Sequence, residues 1–260
     1  MRELLSQADR VFRAQGCCHV PITDCRCQEC LRTRFYGGTD YYTCLKCLSY
    51  YTMNYGPSYV SEVYHFLSTS QILEIFRGTT LNVLSLGCGF GPDLVALRNY
   101  ITNCNLPLTL NYRGVDIEPN WQHLRLVGDA ALFDTDTALQ PFNLAGYDLV
   151  IINKLFSTLL ANGQSNDFLT HLTSAIPTMP DNTCVMFIDV NVQNRGRDIF
   201  DARVAPLFRT TWRYFYPVGG AYTGSYTPIN ATTNICEIPD GLTVHPKLDV
   251  NKTIIFLYRK

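Results

Sequence analysis

The chain has 260 residues, 47% of them hydrophobic and 17% charged, with a formal net charge of -1 at pH 7. These values describe a globular protein and exclude a disordered one, and they leave no overall positive field for nucleic acid, so such a partner would need a local basic patch. No stretch approaches the ~20 apolar residues that span a bilayer, and Met1 to Ala14 lacks the apolar centre of a signal peptide; the expectation is a soluble protein of the cytoplasm or another reducing compartment, with no membrane partner.

In chain order, the first feature is a cluster of seven of the 11 cysteines between Cys17 and Cys47. In a reducing compartment such clusters bind metal more often than they form disulfides. Cys27-x-x-Cys30 and Cys44-x-x-Cys47 are separated by 13 residues, a stretch that a hairpin through Gly37 and Gly38 spans, and two such knuckles can offer four thiolates to zinc. Cys17, Cys18, His19 and Cys25 would supply a second site. Free thiols with a surface histidine, or an iron-sulfur cluster in place of zinc, remain open. Arg26, Arg32, Arg34 and Lys46 alternate with Tyr36, Tyr41, Tyr42, Tyr50 and Tyr51, a mixture suited to phosphates and stacked bases or to a solvated face. Residues 1–56 are therefore expected to form a zinc-binding module, followed by a second domain over 57–260.

From Pro57 the pattern changes. Ser58 to Arg77 has helical spacing and Gly78 suits its exit. Leu81 to Leu86 reads as a strand and Pro92 to Tyr100 as a helix with proline in its first turn. Strands follow at Leu110 to Val115, Tyr147 to Ile152 and Cys184 to Val190, with helices at Asp167 to Ile176 and Asp198 to Leu207. Two last strand-like runs, Thr211 to Tyr216 and Thr253 to Tyr258, flank a Gly- and Thr-rich loop over 217–250. This alternation predicts an α/β fold, a mostly parallel sheet covered on both faces. Cys88, Cys104, Cys184 and Cys236 read as small apolar fillers.

The sharpest signal is Gly87-Cys88-Gly89-Phe90-Gly91 between a predicted strand and a predicted helix. A dinucleotide fingerprint has the spacing GxGxxG; here it is GxGxG, and Asp93 follows closely, which disfavours a diphosphate. Leu84 to Asp93, LSLGCGFGPD, resembles motif I of class I S-adenosylmethionine-dependent methyltransferases. Tyr112-Arg113-Gly114-Val115-Asp116 is similar to that family's second strand, whose terminal carboxylate accepts bonds from the ribose hydroxyls. The resemblance covers roughly Pro57 to Lys260. It implies a Rossmann-like sheet with an antiparallel last strand, S-adenosylmethionine as cofactor, and contacts from Leu86, Gly87, Cys88, Gly89, Gly91, Asp116, Ile117 and Asn153. The family's third strand has two possible places. Leu124 to Val127 would give Asp129 the adenine contact; a helix over Glu118 to Ala131 would move the strand to Leu132 and Phe133, and the contact to Asp134 or Asp136.

The acceptor of this family sits beyond the strand ends, which points to Asn153, Lys154 and Phe156, and to Asp189 and Asn191. Asn153-Lys154-Leu155-Phe156 shares its first and last residue types with the Asp/Asn-Pro-Pro-aromatic motif of amino-group methyltransferases and lacks both prolines, so no exocyclic-amine chemistry is inferred. Asn153 reads equally as a simple strand cap. A zinc ribbon before such a domain resembles one group of bacterial ribosomal RNA guanine methyltransferases, which raises structured RNA as the acceptor. The alternatives are a protein or small-molecule acceptor, favoured by the near-neutral charge, and a non-catalytic cofactor-binding protein that assembles with a protein partner.

Overall fold

The apolar runs read as strands pair into a single sheet in the computed structural model, which describes residues 1–16, 27–31, 44–126, 131–190, 196–217, 226–250 and 253–260. The strands are β1 (Thr80–Leu86), β2 (Thr109–Asp116), β3 (Ala131–Thr135), β4 (Leu149–Asn153), β5 (Cys184–Val190), β6 (Thr210–Phe215), β7 (Thr227–Pro228) and β8 (Thr253–Arg259). Their spatial order is β3-β2-β1-β4-β5-β8-β6-β7. From β3 to β5 every pairing is parallel, whereas β8 runs antiparallel to both β5 and β6. This is the expected α/β architecture with its reversed last strand. The order turns back between β1 and β4, and open parallel sheets bind ligands beyond the carboxyl ends of their strands at such a reversal.

Seven helices accompany the sheet among the described residues: α1 (Arg2–Ala14), α2 (27–31), α3 (Leu45–Ser70), α4 (Pro92–Asn103), α5 (Phe156–Ala161), α6 (Ser165–Ala175) and α7 (Arg197–Val204). Strand side chains alternate between faces. Val83 and Ile151 therefore pack with Val63, Phe66 and Leu97 of α3 and α4, while Leu84, Val150 and Ile152 pack with Phe156, Leu172 and Phe200 of α5, α6 and α7. The third strand settles at Ala131–Thr135, the second of its two expected places, and a 3-10 turn over Pro119–Leu124 stands in the segment before it.

The largest departure is α3. It runs unbroken through the expected boundary at 56/57, with Pro57 inside it. Proline removes one helical hydrogen bond and strains the preceding turn. Burial outweighs this local cost, because Leu48, Met53, Val60, Val63, Phe66 and Leu67 are all fully covered. The first half of α3 packs with Leu4, Leu5 and Ala8 of α1 against Phe90, Trp121 and Leu124. Residues 226–250 contain only the short β7 and otherwise follow these helices: His65 Nε2 meets the Thr233 carbonyl at 2.7 Å, Lys247 N donates to Asn54 O at 2.8 Å, and Thr243 N donates to Asp9 Oδ1 at 2.8 Å. The N-terminal helices thus share a core with the sheet domain. No described helix is long and apolar enough to cross a membrane.

Candidate functional site

Beyond the end of β1 the chain makes a bend that only its glycines allow cheaply. Gly87, Gly89 and Gly91 have φ values of 68°, 53° and 80°, the left-handed region that side chains rarely enter. At Gly87 space is a second constraint, since an added Cβ would lie 2.9 Å from Leu155. The bend is tied to β2 where Gly87 N and Cys88 N both donate to Val115 O, at 2.8 and 3.1 Å.

Asp116, the last residue of β2, fastens the same bend. Its Oδ2 accepts from Gly89 N at 2.8 Å and its Oδ1 from Glu118 N at 3.0 Å. Burial pushes its pKa above the ordinary carboxylate value; the two backbone bonds, the Arg125 charge and a bond from the Trp121 side chain pull the other way. Arg125 lies beneath the bend, donating from Nε to Gly89 O at 2.8 Å, with its guanidinium 4.6 Å from the Phe133 ring centre.

These elements line a cleft of about 1020 Å³ counted out to its mouth. Gly87, Cys88, Gly89, Asp116 and Ile117 form one wall. Asn153, Lys154 and Leu155, at the exit of β4, form a second. From α3, Tyr51 and Tyr59 reach in, share a side-chain hydrogen bond and complete an aromatic roof with Phe90 and Trp121. An adjoining cavity shares Gly87, Asp116 and Ile117 and extends past Asp136, Thr137 and Ala138. Ile117 is 42% exposed, an apolar side chain held open beside both spaces.

The exit of β4 carries its own charge system. Lys154 sits at φ 56° and its ammonium lies 3.0 Å from Glu62 Oε2 and 2.6 Å from Thr253 Oγ1. The Thr253 hydroxyl donates to Glu62 Oε1 at 2.8 Å. Burial raises the Glu62 pKa, and the Lys154 charge opposes that rise. Asn153 is buried, and among the described residues neither of its amide atoms has a hydrogen-bond partner.

Other residues singled out from sequence lie elsewhere. Leu86 is 2% exposed in the core, and Gly91 turns into α4 facing Phe133, so neither lines the cleft. Phe156 is fully buried with Phe168, Phe187 and Phe200 at centroid distances of 6.2, 6.0 and 5.2 Å; Leu155 takes the cleft position instead. Asp134 pairs with Arg113 at 2.5 Å, and of Asp134 and Asp136 it is Asp136 that lines the adjoining cavity beside Asp116. Asp189 is buried behind the cleft, where Ser157 N donates to it at 2.8 Å. Asp129 and Asn191 lie outside the described residues, as do Cys17, Cys18, His19 and Cys25.

Of the four knuckle cysteines, Cys27 and Cys30 fall on α2, Cys44 precedes α3 and Cys47 sits in its first turn. Cys47 Sγ lies 3.9 Å from the Cys27 carbonyl oxygen. Among the described residues, no group of three or more His, Cys, Asp or Glu side chains is placed to hold a metal. Of the filler cysteines, Cys184 and Cys236 are buried, Cys88 is buried at the cleft wall and Cys104 is exposed.

Sequence reasoning missed Tyr59, Glu62 and Trp121, and it grouped Tyr51 with the aromatics of the cysteine-rich segment instead of the cleft. The signal available was the i, i+8 spacing of Tyr51 and Tyr59 on one helical face, hidden by the expected domain boundary at 56/57 that falls between them.

No family model and no curated protein matches the sequence. Among solved structures, the chain is similar to a SAM-dependent methyltransferase from Archaeoglobus fulgidus, with 14% identity, a TM-score of 0.46, and coverage of 77% of this chain and 94% of that one. A possible exported protein from Bordetella parapertussis gives 11% identity, a TM-score of 0.47, and coverage of 99% and 94%. Phosphoethanolamine N-methyltransferase 1 from Haemonchus contortus gives 14% identity and a TM-score of 0.38 over 52% of this chain, which spans only 27% of that protein's length. None of these likenesses is close enough to carry an activity across, so function is argued from the site.

Proposed function

We propose that the chain is an S-adenosylmethionine-dependent methyltransferase whose cofactor lies along the cleft between the Gly87–Gly91 bend and Asn153. The observation that carries the reading is Asp116, which holds the bend by one oxygen and faces the cleft at the point where the sheet order reverses. A carboxylate has about four lone-pair sites. Two are taken by backbone N–H groups and a third by the Trp121 side chain, leaving one acceptor site for a ribose hydroxyl. Ile117 offers an apolar surface for the adenine, and Asp136 and Thr137 offer polar atoms at its edge.

Charge supports a sulfonium over a diphosphate. Among the described residues, the cleft is lined by the carboxylates of Asp116 and Glu118 and by one ammonium, Lys154, already paired with Glu62. When bound, the cofactor supplies a methyl group made electrophilic by its sulfonium charge. What remains for the protein is alignment and the exclusion of water. Tyr51, Tyr59, Phe90 and Trp121 cover the cleft from the α3 side, and the exit of β4 bounds the end where the acceptor enters.

RNA is carried forward as an acceptor only on the basic and aromatic residues of the cysteine-rich segment. Two of these are occupied otherwise: Lys46 donates to Gln15 O at 2.8 Å, and Tyr51 lines the cleft. A protein or small-molecule acceptor is the second reading, favoured by the acidic balance of the cleft. Transfer of labelled methyl groups onto RNA, DNA, protein and small-molecule fractions separates the two. Labelling of RNA with salt-sensitive binding supports the first, and labelling confined to another fraction removes it. The zinc expectation rests on cysteine spacing; one or two equivalents of zinc in the purified protein support it, and a metal-free protein ends it. Calorimetric titration with S-adenosylhomocysteine tests the cofactor directly, and the absence of binding would sink the proposal.

A further inference from the structure

We infer that Glu62, on the helix roofing the cleft, is a positioning residue that acts through Lys154 to keep the Asn153 amide turned toward the amino-acid end of the bound nucleoside. The inference rests on the methyl-transfer reading for the identity of that nucleoside.

Three observations lead to it. At the exit of β4, Lys154 adopts a φ of 56°. A lysine gains nothing from this left-handed conformation, which persists in folded proteins only where the surroundings impose it. Here Lys154 N donates to Ile188 O at 2.8 Å, and the side chain runs back to Glu62 and Thr253. Because Thr253 also donates to Glu62, the three side chains close a ring joining α3, the β4 exit and β8.

The ring is deeply buried, with the Lys154 and Glu62 side chains only 6% and 4% exposed. A buried charge stripped of its partner is strongly unfavourable, so each side chain confines the other. The turn at Lys154 in turn sets the orientation of its predecessor.

That predecessor is Asn153, 7% exposed and on the cleft wall, with Oδ1 and Nδ2 both unpartnered among the described residues. A buried amide without partners is costly until a ligand meets it. It presents a donor and an acceptor side by side, complementary to the α-carboxylate and α-ammonium of an amino acid. The direction of the nucleoside follows from the two cavities. Asp136 lines only the adjoining one and Asn153 only the main one, with Asp116 shared between them, so a ribose at Asp116 sends its amino-acid arm toward Asn153.

Two calorimetric probes separate positioning from general destabilisation: S-adenosylhomocysteine, which carries the amino-acid arm, and 5′-methylthioadenosine, which lacks it. Glu62→Gln and Asn153→Ala should each weaken S-adenosylhomocysteine about tenfold while leaving 5′-methylthioadenosine within about twofold. Glu62→Gln should add nothing further in the Asn153→Ala background. Should Glu62→Gln fail to fold, the Glu62→Gln/Lys154→Met pair removes both charges together and should give the same selective loss. Equal loss for both nucleosides, additive losses in the double variant, or no loss in folded protein would each overturn the inference. If the unaltered protein binds neither nucleoside, the methyl-transfer reading fails by itself. The crystal structure of the Glu62 variant, or of the pair variant in its place, then decides the positioning claim: a lost left-handed turn at Lys154 sustains it, and an unchanged turn with Asn153 in place refutes it.

Discussion

At the scale of the residue, Asp116 has two duties that a single substitution cannot separate. It is the proposed ribose receptor, and it is the buckle that holds Gly89 N and Glu118 N. Asp116→Ala should therefore reduce S-adenosylhomocysteine affinity by about tenfold to a hundredfold, on the scale of one lost charge-assisted bond, and also lower the melting temperature. Asp116→Asn keeps one acceptor oxygen and should fall between. Calorimetry paired with thermal melts checks both, and full affinity in a folded alanine variant would refute the ribose assignment. The raised pKa of Asp116 adds a sign: the anion is the form that accepts hydroxyl protons, so affinity is highest above that pKa and declines as pH falls through it. These positions were readable in the sequence because they answer to local rules, glycine at positive φ and a carboxylate at a strand end. Tyr51 and Glu62 were not, because their roles depend on where a helix distant in sequence comes to lie.

Elements were legible where burial leaves a simple pattern and obscure where it overrides local preference. Each core strand of the parallel sheet is a short apolar run, which is why β1, β4 and β5 were recognisable. The helix α3 was cut at Pro57 because the residue pattern changes there; Gly56 and Pro57 also disfavour helix interiors, a cost that packing on both sides of the break outweighs. The six-residue α5 is too short to show a helical period at all. At the junction of the glycine bend with α4, Asp93 is fully buried and accepts from the Tyr112 hydroxyl at 3.0 Å. The helix N-terminus favours its anion, yet burial wins and pushes the pKa up to about 6. Between the ordinary carboxylate value and about 6, the native state binds a proton that the unfolded chain does not, so this residue's contribution to stability falls as pH rises through that window, by on the order of 3 kcal/mol. Asp93→Asn keeps an acceptor for Tyr112 and cannot ionise. Relative to the unaltered protein it should be more stable at pH 8 and closer to parity at pH 4, by thermal or denaturant melts. An identical stability difference at both values would show that Asp93 does not titrate in this way.

For the whole molecule, the question is whether the N-terminal helices form an attached module or part of the body that holds the cleft. Sequence composition favoured a module, since the cysteines and tyrosines of residues 1–56 contrast with the apolar alternation beyond them. Composition, however, does not report which surfaces meet. Leu4, Leu5 and Ala8 are fully buried against a cluster that includes Phe90 of the glycine bend and Trp121 of the cleft roof, and α1 also reaches the 3-10 turn where Gln7 Nε2 donates to His123 O at 2.6 Å. Loosening α1 should therefore be felt at the proposed cofactor cleft. Leu4→Ala/Leu5→Ala in the full chain removes two fully buried leucines, each substitution costing about 2–5 kcal/mol where the site cannot collapse. The expected result is a lower melting temperature in a single transition, together with severalfold weaker binding of S-adenosylhomocysteine as Phe90 and Trp121 lose their backing. An independent module would respond differently, with two separate transitions, only the first of them shifted, and an unchanged nucleoside affinity. Because the packing ties α1 to the bend through shared apolar contacts instead of a linker, stability and binding should fall together.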